Sequence, residues 1–233
     1  MQSNNPILNR VEVYADYSQP MTIQGAIQKS VLLTVIAAVV GLGIFFYSFI
    51  SLNISIAYSA AIVGAIGGFI LALITIFKPN TAKTLAIPYA LFEGAFLGGV
   101  SVIFQLKFPG VPLQALLATF VTTLVMFTLY RLQIVRATEK FKSVVLSATI
   151  AIAIVFVVQL VMRLAFGSSV PYIFESNWLG IGFAAFVAVI ASLNLILDFD
   201  LIESSAAQHA PKSMEWLSAI ALLATLVWMY YSF

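Results

Sequence analysis

The stretch WLGIGFAAFVAVIASLNLILDFDLIE, Trp178 to Glu203, decides how the rest of the chain is read. From Trp178 to Leu197 it carries no charge, and then Asp198, Asp200 and Glu203 follow within six positions. A helix needs roughly 20 apolar residues to cross the hydrocarbon core. The uncharged run therefore reads as a membrane span, and the three carboxylates fall at its end. The same pattern recurs along the chain, with apolar runs near 30–50, 55–77, 84–104, 113–133, 143–166, 178–202 and 215–232. Between them lie Ser51 to Ser55, Lys78-Pro79-Asn80, Lys107 to Pro112, Arg131 to Lys142, Gly167 to Asn177 and Ser204 to Ser213, all rich in turn formers.

Composition agrees. Of 233 residues, 62% are hydrophobic and only 9% charged, against about 25% charged in an average globular chain. Mean hydropathy is +1.06. So few charges cannot cover the surface of a water-soluble domain of this length. The fold class is an all-α integral membrane protein, a bundle of seven transmembrane helices, and a nucleic-acid partner is not expected. Residues 1–29 read as an N-terminal cytoplasmic segment and 30–233 as the membrane domain. The first twenty residues are polar and lack the apolar core of a signal peptide. Met21–Ser30 reads as a short interfacial helix leading into the first span. The absence of cysteine excludes disulfides and thiolate metal sites. A single histidine, His209, excludes a bis-His haem or a multi-His zinc site within one chain.

Basic residues set the expected orientation. With the N-terminus in the cytoplasm, nine of the eleven fall on the inner side: Arg10, Lys29, Lys78, Lys83, Arg131, Arg136, Lys140, Lys142 and Lys212. Lys107 and Arg163 fall outside. Seven spans then put the C-terminus outside. The run from Arg131 to Lys142 also suits contact with anionic lipid.

Charges inside spans are costly and therefore informative. Glu93 lies about 13 Å into the third span and Asp198 about 6 Å from the inner end of the sixth, at 1.5 Å of rise per residue. Asn194 and Asp198 are four apart and share a helix face, while Asp200 and Glu203, three apart, share another. The expectation is that Asn194 and Asp198 face the bundle interior. Asp200 and Glu203 then meet water and the basic loop, and Glu215 opens the seventh span on the same side. Gly64–Gly68 and Gly94–Gly98 have the small-xxx-small spacing of closely packed helices. An aspartyl protease needs aspartates on two helices, but Asp198 and Asp200 share one and point apart. A retinal pigment needs a lysine in the last span, and Glu215–Phe233 has none. No enzyme is expected.

Several stretches together carry a family likeness: YSQPMTIQGAIQKS at 17–30, FEGAFLGGVS at 92–101, LDFDLIE at 197–203, APKSMEW at 210–216 and LLATLVWMY at 222–230. They resemble the Bax inhibitor-1 (transmembrane Bax inhibitor motif) superfamily, in its bacterial branch, over nearly the whole chain. The resemblance implies seven helices, with a short last helix enclosed by the other six, in a bacterial inner membrane. It implies a pH-dependent calcium leak gated by an aspartate pair on the sixth and seventh spans. Asp198 occupies the first position of that pair. The second is held by Thr225, a departure from the pattern, with Glu93, Glu215 or Asp200 as possible substitutes. Asp198 and Glu93 are then the possible calcium ligands. Some relatives are associated instead with a membrane quality-control protease, so a non-conducting interaction protein is the alternative. The chemistry of a switch does not need the second aspartate. Burial opposes the charged form of a carboxylate, and a neighbouring acid adds to that. Charged, a carboxylate attracts hard cations such as calcium; protonated, it can hydrogen-bond a neighbour such as Asn194.

Overall fold

The structure is a computed structural model that describes residues 20–51, 53–168, 170, 173 and 177–233. The N-terminal segment expected over 1–29 therefore lies largely outside the described residues. Seven helices account for nearly everything described: α1 Ile23–Ile50, α2 Ile54–Phe77, α3 Ala82–Lys107, α4 Val111–Arg131, α5 Glu139–Phe166, α6 Trp178–Ala207 and α7 Met214–Ser232. A single 3-10 turn, Pro79–Thr81, precedes α3. All seven helices are long and apolar enough to cross a membrane, so the chain is a multi-pass membrane protein in contact with the lipid bilayer. Large apolar side chains such as Val39, Phe69 and Leu164 are exposed, as they must be where the solvent is lipid rather than water.

Local chemistry explains where the helices begin. Thr22, Asn53 and Thr138 cap α1, α2 and α5 by accepting from the N–H of Gly25, Ser55 and Phe141. The Asn177 side chain accepts from Gly180 N at 2.8 Å and starts α6. α5 ends at Gly167, whose φ of 64° suits a residue without a side chain. Several helices overrun their apolar runs. α1 starts at Ile23, so the expected interfacial helix is continuous with the span. α6 continues to Ala207, so Asp198, Asp200 and Glu203 lie within the helix rather than at its end. In α3, Pro88 sits beyond the first turn. The Thr84 carbonyl therefore lacks its usual intrahelical donor.

The chain divides into two compact units. The first runs to Val111 and takes in Leu201–Ala224. In it, α3 packs against α1 and α2 through small residues. A Cβ on Gly94 would stand 2.6 Å from the Ala37 carbonyl oxygen, and one on Gly64 2.6 Å from the Phe92 carbonyl oxygen. The backbones approach so closely because nothing projects between them. The second unit holds Pro112–Asp200 and Thr225–Phe233. Ile152 of α5 packs with Val187 and Ile190 of α6, with Phe156, Phe183 and Trp228 around them. Phe199 of α6 sits against Phe127 and Tyr130 of α4, with ring centroids 5.5 and 5.9 Å away.

Candidate functional site

Asp198 is only 9% exposed. α6 carries it into the second unit, where the Thr225 side chain of α7 is its hydrogen-bonding neighbour. Its other oxygen, Oδ2, is buried without a hydrogen-bond partner among the described residues. A buried carboxylate oxygen left in this way is costly, and such a group inside a membrane helix is a functional candidate. Thr225 is itself buried. The position implied for the second aspartate is thus the one that meets Asp198, but it brings a hydroxyl in place of a charge.

Asn194 shares the face of Asp198, one turn earlier, but its amide is used elsewhere. Nδ2 donates to Thr149 Oγ1 of α5 at 2.8 Å and to the Ile190 carbonyl at 2.8 Å. Nearby, the Ser192 hydroxyl bonds the Ala188 carbonyl at 2.8 Å and lies 3.7 Å from Met229 Sδ. The polar partner of Asp198 is therefore Thr225, while Asn194 joins α6 to α5. Replacing Thr149 by Val should leave the Asn194 amide with only its bond to the Ile190 carbonyl and lower stability by about 1 kcal/mol, as measured by thermal unfolding in detergent.

The other acids have separate settings. Asp200 points away from Asp198 and pairs with Lys142 at 2.8 Å, while Lys142 also reaches Glu139 at 3.3 Å. The basic run after α4 does meet this carboxylate, as the spacing of Asp198 and Asp200 implied. In the first unit, half-buried Glu93 shares a hydrogen bond with Tyr89 one turn back. Its carboxylate lies over Gly68 of α2, where a Cβ would stand 2.9 Å from Oε1. Glu203, also in the first unit, is half-buried near the end of α6. Glu215 forms an ion pair with Lys29. Glu215 and Asp200 are thus each matched to a lysine. Among the described residues, no three His, Asp or Glu side chains gather as a metal site.

A family model described as "Bax inhibitor 1 like" matches residues 5–233. The chain belongs to the Bax inhibitor 1 like family. Neither the curated proteins nor the solved structures compared with it gave a match. The stretches that carried the resemblance fall at positions of consequence in this Bax inhibitor 1 like chain. LDFDLIE supplies Asp198 and Asp200, LLATLVWMY supplies Thr225, and FEGAFLGGVS supplies Glu93 with the glycines of α3. Sequence reasoning missed Tyr89 and Thr149 as polar partners and treated Lys29 only as an orientation marker. Thr149 had no local signal, since Asn194 lies 45 residues away. Tyr89 stands four residues before Glu93, a helical spacing that could have found it.

Proposed function

We propose that the protein is a cation leak channel or transporter of the calcium type, controlled by a proton on Asp198. The observation that carries this reading is the Asp198 carboxyl, buried in a membrane helix, with Thr225 as its hydrogen-bonding neighbour and no partner on Oδ2 among the described residues. Charged, it offers a passing cation an oxygen ligand in a low-dielectric setting. Protonated, it loses that attraction. Calcium here is cargo, held briefly by few ligands. Glu93, with its Tyr89 partner, is a second carboxylate at membrane depth, in the first unit. The basic residues favour an N-terminus in the cytoplasm and a C-terminus outside, and the family resemblance favours a bacterial inner membrane. No catalytic chemistry belongs to this reading.

One observation favours a second reading. Leu195 and Ile196, within a turn of Asp198 in the second unit, are buried and apolar. If they seal the carboxyl, the protein is a non-conducting partner of another membrane protein, such as a quality-control protease. Calcium flux into sealed proteoliposomes, followed from about pH 6 to pH 8, separates the two. The leak reading expects flux that varies with pH, and a flattened pH profile with Asp198→Asn. Flux no greater than in empty liposomes throughout the range would reject it in favour of the interaction protein.

A further inference from the structure

In the first unit, the entry to α1 is fastened to the start of α7 by one carboxylate. Glu215 is only 1% exposed. Its Oε1 accepts from the Thr22 backbone N–H at 2.9 Å and from the Thr22 hydroxyl at 3.2 Å. Its Oε2 pairs with Lys29 Nζ. The same ammonium lies 5.2 Å from the centre of the Trp216 ring, within range of a cation–π attraction. The carboxylate occupies a notch left by Gly25, where an added Cβ would stand 2.6 Å from Oε2. Thr22 has two tasks, since its oxygen also accepts from Gly25 N at 2.9 Å to cap α1.

The backbone alone holds this junction weakly. Pro20 and Pro211 form an isolated antiparallel bridge, and neither proline has an N–H with which to extend a ladder. One backbone bond beside it joins Met21 N to the Ala210 carbonyl at 2.7 Å. Met21 is 3% exposed, packed with Ala26 and Ile202 beside Ala206 and Met214. Extended backbone with so few bonds belongs to the low-stability end of a fold, where local opening occurs without global unfolding.

We infer that Pro20–Thr22 is a strap closed by the Glu215 carboxylate and opened when its pairing with Lys29 is lost. Opening uncovers Met21 and frees the start of α7 from the entry of α1. The device does not depend on conduction.

The chain has no cysteine, so Met21→Cys provides a single thiol on the buried side of the strap. Its labelling by a water-soluble maleimide in detergent reads the opening. Ser48→Cys, at a buried position near the far end of α1, is the control for global unfolding. Adding Glu215→Gln, which keeps the shape and an acceptor for Thr22, or Lys29→Met should speed Met21→Cys labelling by about tenfold or more. Labelling of Ser48→Cys, which requires global unfolding, should stay at least about tenfold slower than that of Met21→Cys in every background. Unchanged labelling of Met21→Cys in both backgrounds overturns the inference, because packing and the backbone bond then hold the segment unaided. Equal labelling rates at the two positions also overturn it, because the segment then opens only when the whole fold does.

Discussion

Gly98→Leu is expected to abolish the native packing of the first unit. A Cβ at Gly98 would stand 2.5 Å from the Gly41 carbonyl oxygen and 3.0 Å from both Gly41 Cα and Ile44 Cβ. Two of these three atoms are backbone, so rotamer changes cannot make room. α1 and α3 would have to separate, losing the contacts of Ala37, Gly41 and Gly94 together. Overpacking a well-filled core costs about 1–3 kcal/mol, occasionally more, and a clash with rigid backbone belongs at or above the top of that range. Gly43→Leu is the matched control on α1, because nothing lies within 4 Å of a Cβ there. It exchanges a poor helix former for a good one and should leave stability unchanged or slightly raised. Thermal unfolding of both variants in detergent checks the pair. Equal effects at the two glycines would mean that helix propensity, and not close approach, determines the outcome.

The same glycines show what was legible before any coordinates. Small-xxx-small spacing is local information, and Gly64–Gly68 and Gly94–Gly98 do pack helix against helix. The seven spans were legible for the same reason, since an apolar run of membrane length announces itself residue by residue. Their ends were less so. α5 begins at Glu139 and α6 continues to Ala207 because polar residues remain compatible with helix beyond the apolar core. Asp200 was placed toward the basic run by two-residue geometry alone, and Lys142 is there. The partners were harder. Asp198 was singled out as an intramembrane acid, but Asn194, its obvious helical neighbour, bonds Thr149 instead. Thr225 was aligned with Asp198 only through the family resemblance. Glu215 looked like one more interfacial acid, because nothing near it in sequence points to Lys29, 186 residues away.

Lys29→Met should be among the most destabilising polar substitutions in the chain. Glu215 is nearly inaccessible, while the Lys29 side chain is 17% exposed. Removing the ammonium leaves a buried carboxylate with only Thr22 to stabilise its charge. Loss of one partner from a buried pair costs about 3–5 kcal/mol, because the charge left behind has been taken out of water without compensation. The partial exposure of Lys29 places the expected loss at the lower end of that range. Adding Glu215→Gln to Lys29→Met should return much of it, since the neutral amide has no uncompensated charge and still presents an acceptor to Thr22. The double-mutant cycle, read from unfolding in detergent, should therefore show clear non-additivity. A single-variant loss below about 1 kcal/mol would give the pair the strength of a solvated surface bridge, and Glu215 would then have to be hydrated despite its burial. A large loss that Glu215→Gln does not relieve would locate the cost in the aliphatic stem of Lys29 and its contact with Trp216 instead. Recovery in the double variant is the result that assigns the cost to charge, and it is the outcome expected from a carboxylate seated in the Gly25 notch with its donors already in place.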